Sequence, residues 1–532
     1  MRPIVSSLDV TSAAASGNRA AMLKRLSELE QAQQEALAGG GPRFVERHRS
    51  RGKLLARERI DLLLDEDAPF LELATVAAWG TDYAVGASVI TGIGVVSDVE
   101  CMVIAHDPTV RGGASNPYTW KKVLRAMDIA RENRLPLINL VESGGGDLKN
   151  QVDLFIPAGR LFHDLSALSA AGVPTIALVF GNSTAGGAYV PGMCDYAVMV
   201  KGQAKVFLAG PPLVKMATGE EADDESLGGA DMHARTSGLA DYLARDEAEC
   251  LSIGREIVAH LNWRKLGRAP APFVEEPLYD PEELLEVVSA DLKVPFDPRE
   301  VLARVVDGSR FEEYKPLYGS AIVTGWASVH GYPVGILANA RGVLFNDEAK
   351  KATEFILLCN QTDTPLIFLQ NTTGFMVGTQ YEQQGMIKDG SKMINAVTNS
   401  SVPHITINMA ASYGAGNYGM SGRSYSPRLL FSWPNSKTAI MGPEQLAGVM
   451  SIVARQAAAA AGRAFDEEQD ERTRRELEER VERESLALFM SGQGYDDGII
   501  DPRDTRAALG IALSVCHSNE VCGTRGFGVF RM

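Results

Sequence analysis

Two glycine-rich turns hold the residue types best suited to chemistry. Residues 181–188 read GNSTAGGA and residues 410–417 read AASYGAGN, each directly after an apolar run, IALVF at 176–180 and ITINM at 405–409. A strand that turns sharply into a helix leaves the helix's first backbone N–H groups without partners. Those groups and the helix dipole attract negative charge, and small residues let a ligand oxygen come within hydrogen-bonding distance. Two adjacent amides aimed at one oxygen form an oxyanion hole, in which one lost donor costs roughly 3–4 kcal/mol of transition-state stabilisation. One such turn would be read as a tight corner; two at matching positions point to function.

The positions do match. Pro136 and Pro365 stand 229 residues apart, as do Lys121-Lys122 and Lys350-Lys351, and Val173-Pro174 and Val402-Pro403. The same register lays the first turn on the second without a gap. Downstream, KVFLAGPP from Lys205 matches KTAIMGPE from Lys437 at an offset of 232, after a three-residue insertion. A register held this long means a duplicated fold.

The elements that position the turns follow from periodicity. Leu23, Leu26, Leu29 and Ala32 predict an amphipathic helix over 18–38, ended by Gly39-Gly40-Gly41-Pro42. Strands are expected at 87–96 and 99–105, a helix at 121–133, a strand at 137–141, a helix at 158–171 and a strand at 173–180. This alternation predicts a layered α/β fold of β-β-α units. The Pro- and acid-rich stretch at 269–296 marks a boundary, and the charge-dense 463–487 reads as a solvent-facing helix.

Composition removes several classes. A net charge of -15 argues against nucleic acid as partner, without excluding a local oxyanion site. The uncharged stretch 166–194 is broken by Pro174, Pro191 and polar residues, so no membrane span is expected. Six cysteines without a CxxC pair suggest reduced thiols in a cytoplasmic protein, and Cys516, His517 and Cys522 match no zinc spacing, so no metal is expected. Gly92-Ile93-Gly94 lacks the rest of a dinucleotide fingerprint, and no GxxxxGK[ST] loop occurs. Ser183 and Ser412 follow strands but stand outside GxSxG and read as caps rather than nucleophiles.

The segments RGKLLARERIDLLLD (51–65), ESGGGDL (142–148), GNSTAGGAYVPGMCD (181–195), FLAGPPLVKMATGEE (207–221), LGGADMHARTSGLAD (227–241), YGAGNYGM (413–420) and YDDGIIDPRDTR (495–506) together resemble the β, carboxyltransferase subunits of biotin-dependent acyl-CoA carboxylases. FLAGPPLVK and the terminal FGVFRM look like the methylcrotonoyl-CoA carboxylase branch, to which geranyl-CoA carboxylases also belong. The resemblance implies two tandem crotonase-like domains of the ClpP/crotonase superfamily, built of β-β-α superhelical turns. On that basis 1–45 is an N-terminal helical extension, 46–270 the N domain, 271–296 a linker and 297–532 the C domain. It implies a homohexamer with a biotin-carboxylase/biotin-carrier α subunit and an active site between the N domain of one protomer and the C domain of another. No AMKM motif occurs, so biotin would arrive on a separate chain. By resemblance, the amides of Gly186 and Gly187, flanked by Ala185 and Ala188, hold the thioester enolate of the acyl-CoA. Ala415 and Gly416, with Gly414 and Tyr418, hold the ureido oxygen of biotin. Asn339, Arg341, Gly342, Val343, Leu344 and Phe345 resemble an acyl-CoA-binding segment. A 3-methylcrotonyl-CoA-like enoyl substrate is favoured, with geranyl-CoA, propionyl-CoA or a longer acyl-CoA as alternatives. A different class, a crotonase-type hydratase or isomerase, would use a carboxylate such as Glu142.

Overall fold

The computed structural model describes residues 2–147, 149, 151–289 and 291–532. Leu148, which ends the ESGGGDL segment, and Ala290, within 271–296, lie outside the described residues. The chain opens with a short strand β1 (Arg2–Pro3) and a long helix α1 (Ala13–Leu37) that starts on a Ser12 cap.

The first sheet follows, with β2 (Leu71–Leu73), β3 (Val89–Val96), β4 (Val99–His106), β5 (Leu137–Ser143), β6 (Thr175–Thr184), β7 (Tyr196–Val200), β8 (Lys205–Phe207) and β9 (Tyr242–Ala244). Their order is β2-β3-β4-β5-β6-β7-β9, with β8 on the end of β6. The β2–β3 and β3–β4 pairs are antiparallel and the rest of the path is parallel. Two crossover helices cover one face, α2 (Pro117–Asn133) and α3 (Gln151–Ala170). Helix α2 has Pro117 in its first turn and an Asn116 cap accepting from the amides of Tyr118 and Thr119.

The second sheet repeats the plan with β10 (Arg310–Glu313), β11 (Ile322–Val329), β12 (Tyr332–Asn339), β13 (Gly342–Leu344), β14 (Leu366–Phe375), β15 (His404–Tyr413), β16 (Leu429–Ser432) and β17 (Lys437–Ala439). Its order is β1-β10-β11-β12-β14-β15-β16, with β13 on β14 and β17 on β15. Its crossover helices are α4 (Asn346–Gln361) and α5 (Met386–Asn399), and a short helix α6 (Gly414–Gly419) follows β15. A hairpin of α7 (Pro443–Ala460) and α8 (Glu467–Ser485) follows, and α8 is the charged helix read from 463–487. The repeated lysine pair has a structural role. Buried Lys122 donates to the carbonyl of Val89, and its counterpart Lys351 to that of Ile322, tying each helix to the start of its hairpin.

Three differences from the sequence reading have physical causes. Helix α3 begins at Gln151, not 158, and runs through Pro157. Proline removes one helical hydrogen bond, but Leu154 and Leu161, buried on either side of it, hold the helix in place. Strand β6 continues to Thr184 because Asn182–Thr184 pair with β8. The stretch read as a linker is exposed at 271–276, whereas Leu284, Leu285, Val287 and Val288 are buried and their helical turn packs on α1. Apart from these, the chain's opening residues dock on the second half, where Arg2 pairs with Phe311 and Ser6 and Ser7 donate to Glu300.

The halves are joined by a buried ion cluster. Arg125 on α2 grips Asp497 at 2.7 and 2.8 Å and Arg423 reaches the same carboxylate at 2.9 Å. Burial works to raise the Asp497 pKa, but the two guanidiniums outweigh it and hold the group at about 2.

Candidate functional site

In the first half, β6 carries the apolar run into the turn, and a single 3-10 turn, Ala185–Ala188, begins at once. The amide of Gly186 is among the first donors of this turn, ahead of its i→i−3 bonds, and that of Gly187 follows it. Ala185 lies at φ 54°, the left-handed region, which costs a residue with a Cβ roughly 1–2 kcal/mol. Its repeat partner Gly414 sits at φ 55°. The kink that turns the next two amides outward is therefore built twice, once with the residue suited to it and once under strain. Such strain persists where the surroundings impose it, commonly at functional sites. Ser183 is fully buried and donates to the carbonyl of Gly187 at 2.8 Å. It fastens the turn as a donor, not as the helix cap read from the sequence, which would accept from a backbone amide.

In the second half, β15 runs into α6, where Ala415 and Gly416 present amides in the first turn, ahead of the intrahelical bonds. Here the fastening is different. Ser412 donates to Oε1 of Gln370 at 2.5 Å and accepts from Asn417 at 2.7 Å. Gly416 is sterically obligatory, because a Cβ there would lie 2.5 Å from Oγ1 of Thr372 and 2.9 Å from the Cα of Gly374. At Gly187 a Cβ would meet only Oγ of Ser183, at 3.6 Å. Tyr418 is partly exposed and packs against Tyr425 with centroids 5.7 Å apart.

The acyl-CoA residues read from the sequence fall into two places. Ala185 to Ala188 lie on the first sheet, whereas residues 339–345 lie on the second, where β13 pairs with Thr372, Gly374 and Phe375 beside the other turn. Within one chain the fold does not bring these sets onto one strand end. Asn339 is buried, and its Oδ1 accepts from the amide of Asn371. Leu344 is also buried, Gly342 and Val343 form the strand with it, Phe345 packs on Tyr381, and Arg341 is exposed.

A cavity of about 680 Å³ opens at the first turn, touching Ser183, Gly186 and Gly187 and reaching between α2, α3 and the sheet. The second turn has beside it a polar groove of about 750 Å³, lined by residues such as Thr373, Tyr413, Lys437 and Glu482. The sequence reading missed the first cavity, whose wall comes from many separate elements with no local motif.

Glu142 is committed elsewhere. Lys53 contacts it at 2.5 Å and buried Arg59 at 2.8 Å, while Arg59 also bonds Glu247 and stacks on Phe180. A carboxylate held by two cations does not present the free acid or base that a hydratase needs. Its repeat partner Asn371 carries no charge. Lys53 and Arg59 were visible only as part of the RGKLLARER segment.

The carboxyl transferase domain family matches residues 47–530. The chain is 63% identical over 527 residues, covering 99% of each chain, to the probable biotin-dependent acyl-coenzyme A carboxylase beta2 subunit of Mycobacterium tuberculosis. It is 47% identical over 535 residues to the mitochondrial methylcrotonoyl-CoA carboxylase beta chain of Dictyostelium discoideum, covering 99% of this chain and 90% of that one. The crystal structure of the P. aeruginosa geranyl-CoA carboxylase beta subunit superposes with a TM-score of 0.91 at 43% identity, covering 99% of both chains. No helix among the described residues is long and apolar enough to cross a membrane.

Proposed function

Because the chain belongs to the carboxyl transferase family, as the carboxyltransferase subunit of an acyl-CoA carboxylase with two crotonase-like domains, we propose that its two turns divide the two oxyanions of the reaction. The observation that carries this reading is the pair of turns, each with a left-handed residue ahead of two adjacent small residues, at one register of a duplicated sheet. Carboxyl transfer to a thioester develops negative charge on the acyl oxygen and on the carboxyl donor, so two preorganised sites serve one reaction.

The amides of Gly186 and Gly187 donate to the thioester oxygen and stabilise its enolate. Ala185 fixes their direction and Ala188 closes the turn. The amides of Ala415 and Gly416, with Gly414 setting the kink and Tyr418 alongside, donate to a ureido oxygen. The residues fit that group: Ala415 and Gly416 lie in the first turn of α6, ahead of its intrahelical bonds, and Gly414 and Ala415 are small enough to let a flat ring approach. Biotin on a partner α subunit would supply the carboxyl group and, once it is given up, a basic nitrogen. Holding both reactants in line gives the remaining acceleration.

We place the acyl-CoA turn in a domain at 46–270 and the biotin turn in one at 297–532. A 3-methylcrotonyl-like enoyl-CoA is the favoured head group, as in the methylcrotonoyl-CoA branch. The segment 339–345 would contribute to acyl-CoA binding only from a neighbouring protomer, which fits a homohexamer with sites between protomers. Exposed Val449, Met450, Ile452 and Val453 on α7 and Val152, Phe155 and Ile156 on α3 supply apolar surface for such contacts. The cytoplasm is the compartment we infer.

The test replaces Gly187 or Ala415 by proline, which deletes one amide donor. With the α subunit, ATP and bicarbonate, each variant that assembles should lose about 10²–10³-fold in kcat. Normal turnover by an assembled variant would overturn the assignment of that turn.

A further inference from the structure

We propose that Lys53 is a positioning residue for carboxyl transfer: its ammonium holds the last peptide ahead of the first turn and so sets the aim of the Gly186 and Gly187 amides. This deepens the reading above and rests on it for what those amides hold.

The first observation is a gap in the sheet. Strand β6 pairs with β5 as far as Val179 and again at Ser183, with β7 as far as Val179, and with β8 from Asn182. Among the described residues, Phe180 and Gly181 therefore have no strand partner, although the turn begins at Ala185. Phe180 is fully buried, and a buried backbone carbonyl needs a donor. Without one, the segment that carries the two amides would be free to swing.

The second is what fills the gap. Lys53 donates to the Phe180 carbonyl at 2.9 Å and to Glu142 at 2.5 Å. Buried Arg59 meets the other oxygen of Glu142 at 2.8 Å, and its guanidinium lies 4.4 Å over the Phe180 ring. The Glu142 side chain in turn lies across Gly181, where a Cβ would come 2.5 Å from Oε1. The carbonyl, the ring and the following Cα are each held, and the ammonium takes the part of the missing ladder donor. A hydrogen bond from a charged group is roughly twice as strong as a neutral one.

The third is the repeat. Strand β15 has the same gap, at Met409 and Ala410. The clamp is not repeated there: at the 229-residue offset Lys53 becomes Glu282, Arg59 becomes Val288 and Glu142 becomes Asn371. That turn is locked from inside, by the chain from Gln370 through Ser412 to Asn417. In the first half the positions of Gln370 and Asn417 hold Val141 and Ala188, whose side chains form no hydrogen bond. The bond from Ser183 to Gly187 ties the first turn to itself and not to a neighbouring strand. Its anchorage therefore falls to Lys53, which comes from the segment ahead of the sheet. Oxyanion donors act by being aimed before the reaction, so loosening this anchor acts on the chemical step.

The experiment compares native chain, Lys53→Met, Lys53→Arg and Gly187→Pro. Turnover of 3-methylcrotonyl-CoA is measured in the complex with the α subunit, ATP and bicarbonate. Difference infrared spectroscopy reads the thioester carbonyl of bound, carbon-13-labelled 3-methylcrotonyl-CoA on the full-length chain, because donation by the amides lowers its stretching frequency. Lys53→Met should lose about 10- to 100-fold in kcat, with KM changed by less than about threefold, and should lose part of the frequency shift. Lys53→Arg, which keeps a charged donor, should restore both. If the methionine variant does not assemble, Lys53→Gln is measured in its place on the same criteria. Native kcat and full shift in the lysine variant overturn the clamp, and leave the reading of the turn standing if Gly187→Pro loses both. Full shift and turnover in both Lys53→Met and Gly187→Pro overturn the clamp and that reading together. A raised KM with native kcat overturns the proposal, because Lys53 would then bind substrate rather than position the amides. Failure of arginine to restore either readout overturns the role of the charged donor.

Discussion

The two turns share a strand, a left-handed kink and a pair of adjacent amides, yet their surroundings were built by opposite means. The second is packed tight: Thr372, Gly374 and Phe375 press on Gly416 and Gly419, and a hydrogen-bonded chain from Gln370 through Ser412 to Asn417 locks the turn. The first is loose on its ligand side, with Gly186 and Gly187 facing a hollow, and is braced from behind by the Glu142–Lys53–Arg59 cluster. The repeat supplies the donors twice, and the side chains around each turn decide what each pair can reach.

The comparison can be broken most severely at its tight end. Gly416→Ala should abolish measurable turnover and lower the thermal midpoint, because the new methyl collides with backbone at Gly374. Gly187→Ala should fold with an unchanged midpoint and lose activity only through crowding at the cavity mouth. Equal melting curves for the two would show that the halves are not packed differently.

The brace behind the first turn comes next. Arg59→Leu leaves Glu142 and Glu247 buried with less compensation, and loss of one partner of a buried pair costs about 3–5 kcal/mol. Denaturant unfolding should register it. No such cost is expected from Asn371→Ala beyond about 1 kcal/mol, since its side chain carries no charge. A small loss for the arginine variant would mean that the cluster is not the brace.

The smallest effect lies at the kink. Ala185→Gly removes the left-handed penalty and makes the two halves alike, so stability should rise by up to about 1 kcal/mol with activity kept. A fall in kcat without a change in KM would show that the strain itself aims the amides.

Much of this was legible in the sequence because the repeat is read by offset, not by propensity. Pro136 and Pro365, or Lys122 and Lys351, reveal the duplication at a fixed spacing, and the glycine turns follow with their amides. What was not legible depends on distant contacts. Pro157 argued for a helix start that packing of Leu154 and Leu161 overrides. Leu284 and Leu285 sit in a stretch whose prolines and acids suggest a linker, and only α1 makes their burial possible. The cavity draws its wall from β4, β5, β6, α2, α3 and the turn after β6, so no window of sequence contains it. The partner of Glu142 was invisible for the same reason, since Lys53 lies 89 positions away.

The strand at Arg2–Pro3 has a consequence for biosynthesis. These residues come before the first sheet in the chain, but their place is beside Arg310 and Phe311, at the edge of the second sheet. The segment must therefore wait, unpaired, while the whole first sheet is synthesised. When it docks, it ties the two halves together across that span. A chain cut between the domains would leave this strand on the wrong fragment, so the halves, though copies in plan, mature as one piece.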